Sequence, residues 1–154
     1  MANSMMRTHT CGELRLEHDT ESVTLAGWIK SVRLTGKFAF VDIYDKYGTT
    51  QVFVRPNLVD SVKNLNQEDI ITIKGLVKAR PENQRKGGVA DIELSAKEIT
   101  LIKKIPSLPI ALDESVESKE ETRLTYRYID LKKERMRNNI ILRHKVLHAI
   151  RTFM

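Results

Sequence analysis

The fold is decided by two alternating stretches that follow one another along the chain, Phe38-Ala39-Phe40-Val41-Asp42-Ile43 and Thr50-Gln51-Val52-Phe53-Val54. Successive side chains of a β-strand point to opposite faces of a sheet, so each stretch divides into an inner and an outer set. Asp42 belongs in water, which puts the aliphatic residues of the first stretch in a core and leaves Phe38 and Phe40 outside. The same parity places Gln51 and Phe53 on the outer face. Exposed phenylalanines either tuck under a loop or bind a ligand, and three of them beside a basic loop favour binding.

Five strand-like runs separated by short, glycine-containing turns are recognisable in the first two thirds of the chain. They cover residues 22–34, 37–45, 49–55, 69–80 and 89–102. A short helical segment, about residues 57–65, falls between the third and fourth runs. Five strands with a helix in this connection predict an OB-fold, a small barrel whose second and third strands bind oligonucleotides. A small SH3-like barrel is the main alternative, and the position of the helix favours the OB-fold.

Parity assigns the side chains of the other runs in the same way. The predicted outer residues are Arg55 in the third run, Lys74, Lys78 and Arg80 in the fourth, and Asp91, Glu93 and Ser95 in the fifth. The predicted inner residues are Val23, Leu25 and Ile29, then Thr50, Val52 and Val54, then Ile71, Ile73, Val77 and Ala79, and finally Ile92 and Leu94. Gly27 invites a bulge that would switch the register of the first strand, so parity does not place Lys30 or Arg33.

The outer face combines aromatic rings, an amide, an acid and several cations. Unpaired RNA bases stack on aromatic faces, base edges pair with amides and carboxylates, and phosphates attract Lys and Arg. The 154-residue chain carries 26 Lys and Arg against 20 Asp and Glu, a net charge of +6 that suits a polyanionic partner. The outer face is therefore predicted to bind single-stranded nucleic acid.

The chain changes character near residue 104. We expect an OB-fold domain over residues 1–104, a proline-marked hinge over 105–118 and a helical segment over 119–154. Ser118 is a plausible N-cap with Glu121 three residues later, and a second helix is expected from about Glu134 to the end. The fold class is thus mainly β, with helices at the C-terminal end.

Several function classes find no support in the sequence. The polar N-terminus lacks a signal segment, no apolar run reaches the roughly 20 residues that span a membrane, and the single cysteine fits a reducing compartment, so we expect a cytoplasmic protein. Gly87-Gly88 reads as a hairpin turn rather than a phosphate-binding loop. His9, Cys11 and His18 lack a fourth ligand and zinc-site spacing, and His144 and His148 lack the glutamate of a zinc protease motif. We therefore predict neither a metal site nor catalytic residues.

Seven segments, taken in order, resemble bacterial-type aspartyl-tRNA synthetases over nearly the whole chain. They are Met6–Leu14, Val23–Ile29, Phe40–Ile43, Gln51–Val54, Lys78–Glu82, Asp91–Leu94 and Glu121–Leu131. Lysyl and asparaginyl enzymes share the architecture, and the first and last segments favour the aspartyl family. The resemblance implies an OB-fold domain that binds the anticodon of the aspartate tRNA.

The resemblance also implies roles for individual residues. The family's counterpart of Phe40 stacks on the middle uridine of the anticodon, and the counterparts of Gln51 and Glu93 contact base edges. Basic residues matching Arg33, Lys78 and Arg80 hold anticodon-loop bases and phosphates. Phe53, outward by parity, completes the predicted anticodon-binding set. Where many family members carry several arginines this chain has Lys30-Ser31-Val32-Arg33, which predicts fewer backbone contacts.

The C-terminal helix carries two apolar stripes, Ile140, Leu147, Ile150 and Met154 on one side and Leu142, Val146, Ala149 and Phe153 on an adjacent one. Two stripes predict burial on more than one side. The resemblance identifies this helix with the first class II motif, which lies at the homodimer interface of the full-length enzyme. The second and third class II motifs are absent from these residues, so the fragment alone is predicted to be inactive and to hold no cofactor. ATP and magnesium are expected in the full-length aspartate–tRNA ligase.

Two other functions remain open at this point. One is a free-standing OB-fold binder of single-stranded nucleic acid with a helical dimerisation tail. The other is a paralogue that has lost catalysis and regulates through the barrel. The sequence leaves undecided whether the ligase also charges the asparagine tRNA.

Overall fold

The computed structural model describes residues 6–85, 87–113 and 115–154. Five strands form a closed barrel, namely β1 Ser22–Thr35, β2 Phe38–Tyr44, β3 Thr49–Val54, β4 Ile70–Ala79 and β5 Ile92–Lys103. Their order around the barrel is β1-β2-β3-β5-β4, and β4 pairs with β1 to close it. Neighbouring strands are antiparallel except β3 and β5, which are parallel. This is the predicted five-stranded OB-fold.

The barrel interior is filled by the aliphatic face of each strand, and the inner set predicted by parity is confirmed at nearly every position. The buried residues of that set are Val23, Leu25, Ile29, Ala39, Val41, Ile43, Thr50, Val52, Val54, Ile71, Ile73, Val77, Ile92 and Leu94. Ala79 is only half-buried because it is the last residue of β4, where the barrel wall ends. The core therefore fixes which side chains of the strands face outward.

Ser95 corrects the parity prediction, because it is 1% exposed although it was expected outside. It lies on β5 between two paired strands, opposite Phe53 on one side and Leu76 on the other. The guanidinium of Arg55, the residue after β3, reaches it, with Nη2 donating to Ser95 Oγ at 3.4 Å. A small side chain between two larger neighbours is covered even on the outer face.

The segments that connect the strands lie where they were predicted, but their secondary structure differs from the prediction. The helix expected over residues 57–65 is a 3₁₀ helix, Pro56–Ser61, which begins with a proline at its first position. The start of the predicted fifth strand is a 3₁₀ turn, Gly88–Asp91, so β5 begins at Ile92. Asp91 consequently belongs to the turn and not to the outer face of a strand.

The segment before β1 is fastened to the barrel by a buried carboxylate. Asp45 Oδ2 accepts hydrogen bonds from the Cys11 backbone N–H at 2.9 Å and from Arg7 Nη1 at 3.0 Å. Asp45 Oδ1 accepts from the backbone N–H groups of Tyr47 at 2.7 Å and Gly48 at 3.0 Å. Burial, and then the Asp45 charge, raise the pKa of the Cys11 thiol to about 12, which makes it unreactive. One side chain thus joins the N-terminal segment to the turn between β2 and β3.

The chain divides into two units, Met1–Ile105 and Pro106–Met154. The second unit holds helices α1 Glu120–Thr125, α2 Arg127–Asp130 and α3 Glu134–Phe153. The predicted N-cap at Ser118 is wrong, because α1 follows Lys119 and has no side-chain cap. No residue of α3 is buried, so both of its predicted apolar stripes lie exposed. None of the described helices is long and apolar enough to cross a membrane.

Inside the second unit one buried acid joins the two short helices. Asp130 is fully buried, and its carboxylate accepts from Arg123 Nε at 3.0 Å and from Arg127 Nη1 at 2.7 Å. The hydrogen bond and charge of Arg123 outweigh desolvation and hold the pKa of Asp130 below its usual range. The arginine pair therefore keeps a buried carboxylate ionised.

Candidate nucleic-acid interface

Three phenylalanines of β2 and β3 form a cluster on the outer face of the barrel. Phe40 lies opposite Phe53 in the strand register, and Phe38 lies two residues before Phe40 on the same face. The three ring centroids are 5.7 Å from one another. Each ring is half-buried, because it packs against the other two and leaves the rest of its surface in solvent. The cluster is a supported aromatic surface rather than three loose side chains.

Arg33 lies beside this cluster, and the structure gives the position that the sequence left open. The bulge in β1 falls between Ile29 and Ser31, at Lys30, rather than at Gly27. The shifted register puts Arg33 opposite Phe40, with its guanidinium carbon 5.9 Å from the Phe40 ring centroid. Arg33, Phe40, Phe53 and Ser95 therefore form one transverse line across four strands, here called the aromatic row.

A second line of side chains, the polar row, runs beside the aromatic row. Ser31, Asp42 and Gln51 are register partners on β1, β2 and β3, and Lys78 and Glu93 are partners on β4 and β5. Extending the parallel β3–β5 register by one residue joins Gln51 to Glu93, which completes the line. Lys78 is exposed and Glu93 is half-buried. The row offers donors, acceptors and both signs of charge two residues along the strands from the aromatic row, a distance of about 7 Å.

Asp42 connects the two rows. Ser31 Oγ donates to Asp42 Oδ2 at 2.7 Å, and Arg33 Nη2 lies 3.3 Å from the same oxygen. The ion pair is weak, because the Arg33 side chain is 57% exposed and the distance is long. Its effect is to restrain the Arg33 guanidinium near the Phe40 ring.

Arg80 and Gln51 form the other contact between predicted site residues. Arg80 Nη2 donates to Gln51 Oε1, so the amide oxygen of Gln51 is occupied and its NH₂ group remains available. Arg80 Nε is buried and has no hydrogen-bond partner among the described residues. A buried guanidinium N–H without a partner is costly, which is typical of a group that a ligand completes.

The structure thus places all seven predicted site residues on the outer side of the barrel and brings six of them into two adjacent rows. The rows are Arg33, Phe40 and Phe53, and then Gln51, Glu93 and Lys78, with Arg80 bonded to Gln51. Phe38, Asp42 and Ser31 complete the surface and were not among the seven. The alternation of side chains along β2 had predicted that Phe38 and Asp42 face outward. Ser31 follows the bulge in β1, so only the observed strand pairing shows where it lies.

One group of metal-ligating side chains lies elsewhere within the described residues. His9, His18 and Glu21 each offer a ligand atom, and these atoms lie within 4.8 Å of one another. The His9 and His18 rings meet edge to face with centroids 5.4 Å apart. Cys11, which was considered with the two histidines as a ligand, is buried, and its backbone N–H donates to the Asp45 carboxylate.

Comparison with known proteins matches both units. A family model described as an OB-fold nucleic acid binding domain, of the tRNA anticodon type, covers residues 23–102. A model described as tRNA synthetases class II (D, K and N) covers residues 119–154.

Relatives that match nearly the whole chain are also tRNA ligases. An aspartate–tRNA ligase of Mycoplasma mycoides is 42% identical over 150 residues, which cover 97% of this chain and 26% of the relative. An aspartate–tRNA(Asp/Asn) ligase of Thermotoga neapolitana is 41% identical, with the same coverage. The asparaginyl-tRNA synthetase structure from Pyrococcus horikoshii superimposes with a TM-score of 0.80 at 23% identity, over 97% of this chain and 35% of that one. The chain therefore spans about a quarter of the length of the two aspartate–tRNA ligases.

Proposed function

Since the chain belongs to the family of OB-fold nucleic acid binding domains, we propose that its barrel reads the anticodon of the aspartate tRNA for an aspartate–tRNA ligase. The observation that carries the proposal is the half-exposed Phe40 ring, which is supported by Phe38 and Phe53. Arg33 lies opposite it on β1, and Gln51 lies in the neighbouring polar row. Flat apolar surface beside polar groups accepts an unpaired base. The match of residues 119–154 to class II synthetases counts against a free-standing binder.

The Phe40 ring supplies the stacking surface in this proposal. A base stacked on an aromatic side chain contributes about 1–3 kcal/mol. Phe38 and Phe53 hold the ring in place, so little side-chain entropy is lost when a base arrives. Arg33 lies on the same side and supplies the positive charge for a phosphate or a base oxygen.

The polar row supplies the base-edge contacts. Because Arg80 occupies the Gln51 oxygen, Gln51 presents its NH₂ group, which fits a carbonyl acceptor such as those of uracil. The Glu93 carboxylate only accepts hydrogen bonds, so it fits a donor edge such as that of guanine. The Arg80 guanidinium and the Lys78 ammonium group add positive charge for bases or phosphates. The two rows together distinguish bases by donor and acceptor pattern.

We infer that the whole ligase activates aspartate with ATP and magnesium and transfers it to the tRNA in the cytoplasm. Because the chain spans about a quarter of the length of the aspartate–tRNA ligases that it matches, we expect the 154-residue chain alone not to aminoacylate tRNA. The exposed α3 helix, with apolar residues on two sides, supports the proposal of a homodimer that forms through it.

The test is a titration of a labelled anticodon stem-loop with the chain. Phe40→Ala should weaken binding by about 1–3 kcal/mol, on the order of tenfold, because one stack is lost. Phe153→Ala, which removes a phenylalanine that is 94% exposed on α3, is the matched control and should leave the affinity unchanged. Equal affinity of the Phe40→Ala variant and the unaltered chain would contradict the proposal.

A further inference from the structure

A cluster of two imidazoles and a carboxylate lies in the segment that leads into β1, and it has no part in the anticodon surface. Its ligand atoms, one each from His9, His18 and Glu21, lie within 4.8 Å of one another. Tetrahedral zinc, with bonds of about 2.0–2.1 Å, needs ligand atoms about 3.3 Å apart. Glu21 is exposed and the two rings are half-exposed, so the three side chains have solvent-side space in which to turn toward a shared ion.

The backbone beneath the three side chains is fixed to the barrel. Thr8, next to His9, donates its N–H to Thr24 O of β1 at 2.8 Å. The Glu21 N–H donates to His18 O at 3.0 Å, and the Val77 N–H of β4 donates to Glu21 O at 2.9 Å. Ligands anchored in this way lose little freedom when an ion binds.

Thr20 holds a strained conformation between two of these ligands. Its φ of +68° lies in the left-handed region, which a β-branched residue rarely occupies. The turn reverses the chain between His18 and Glu21. Strain of this kind concentrates at sites with a function, and here it accompanies a group of metal-ligating atoms.

The hydrogen bonds around His9 prepare its ring for an ion. Thr8 Oγ1 already receives the Thr24 N–H at 2.9 Å and lies 3.3 Å from Thr24 O. His9 Nδ1 is 3.0 Å from the same hydroxyl, and a proton on Nδ1 leaves the Nε2 lone pair available. This is the outer-shell arrangement that orients metal-binding histidines.

His18 gives up one hydrogen bond on binding. Its Nδ1 accepts the Arg15 N–H at 3.0 Å, and a neutral ring that accepts there carries its proton on Nε2. An ion that binds His18 Nδ1 therefore replaces the hydrogen bond from Arg15. The exposed Arg15 N–H then donates to water instead. The Glu21 carboxylate forms no hydrogen bond or ion pair among the described residues, and the Glu13 carboxylate also lies near the two histidines.

We propose that His9, His18 and Glu21 form a three-ligand site for Zn²⁺, with water completing the coordination. Imidazole and carboxylate ligands in this number suit zinc. The ion joins residue 9 to the entry of β1 and so fastens the N-terminal segment. The site is independent of anticodon binding. The proposal departs from the prediction of no metal site, which considered the two histidines with Cys11 and did not include Glu21.

The test uses a His144→Ala/His148→Ala background, because those two histidines lie one turn apart on α3 and form a competing pair. His9 and His18 are then the remaining histidines of the chain. Calorimetric titration with ZnCl₂ should show one ion per chain, and Zn²⁺ should raise the thermal midpoint. Co²⁺ should give the visible absorption of a nitrogen- and oxygen-ligated ion.

Variants in that background separate the outcomes. Glu21→Gln should weaken Zn²⁺ binding on the order of tenfold or more, and His9→Ala/His18→Ala should abolish it. Binding of the anticodon stem-loop, measured without metal, should be unchanged in each variant and confirms that the chain is folded. The proposal is overturned if the background chain binds no Zn²⁺, or if the His9→Ala/His18→Ala variant binds it with the same affinity.

Discussion

The outer face of the barrel and helix α3 both expose large apolar side chains, but they do so in different ways. On the barrel, Phe38, Phe40 and Phe53 pack against one another and rest on strands whose other faces are sealed in the core. On α3, apolar residues lie on two sides and none is buried. The first surface is already assembled for a flat ligand, whereas the second has no supporting layer. Exposure alone therefore does not show that a surface is preassembled for a ligand, whereas the packing beneath it does.

The largest effect that separates the two regions concerns stability. Ile43→Ala removes a fully buried side chain from the barrel and should cost about 2–5 kcal/mol of unfolding free energy. Ile141→Ala removes the same atoms from α3, where the residue is 45% exposed, and should change that free energy by less than about 0.5 kcal/mol. Urea denaturation of both variants provides the measurement. Equal losses would show that α3 is packed as tightly as the barrel.

A second substitution tests how the N-terminal segment is joined to the barrel. A Cβ added at Gly12 would lie 2.1 Å from Tyr47 O, in the turn that Asp45 also holds. Because backbone must move, Gly12→Ala should destabilise the barrel by about 1–3 kcal/mol. Gly36→Ala is the control, since it meets no atom within 4 Å and carries only the cost of its φ of +58°, about 1 kcal/mol. A loss no greater than that of Gly36→Ala would exclude the close approach.

The smallest expected effect is a pH dependence confined to the helical unit. Arg123 lowers the pKa of Asp130 in the folded chain, so the unfolded state, whose aspartate pKa is about 3.9, binds the proton more readily. The ion pair therefore stabilises the unit above about pH 4, and the contribution is lost as pH falls through the lower folded value. Asp130→Asn should remove this dependence. Helical circular dichroism followed from pH 7 to pH 2 measures it, and identical acid transitions in both proteins would disprove the assignment.

Strand positions and the inner face could be predicted because both depend on a local period of two. Residues 38–44 and 49–54 form strands close to the predicted 37–45 and 49–55. The bulge at Lys30 could not be predicted, because it depends on how β1 pairs with two different strands. The same holds for Ser95, which is covered by neighbours on both sides.

The residues of the candidate surface could be chosen from the sequence, but the hydrogen bonds between them could not be predicted. Phe40, Gln51 and Arg80 could be chosen from parity and resemblance, whereas the Arg80–Gln51 hydrogen bond joins residues 29 positions apart. The Asp45 contacts with Arg7 and Cys11 likewise span 38 and 34 positions. A sequence pattern with a period of a few residues carries no information about such distant pairs. The Glu21 carboxylate, three residues after His18, was within reach of sequence reasoning and was overlooked.

The most direct measurement compares two anticodon stem-loops that differ only at the middle base. Binding of the aspartate anticodon loop to the 154-residue chain is titrated beside a loop in which the middle uridine is replaced by adenosine, at one fixed salt concentration. The adenosine lacks the carbonyl oxygens that fit the Gln51 NH₂ group, so we expect its affinity to be lower by about tenfold or more. Equal affinity for the two loops would contradict the conclusion that the barrel reads the anticodon.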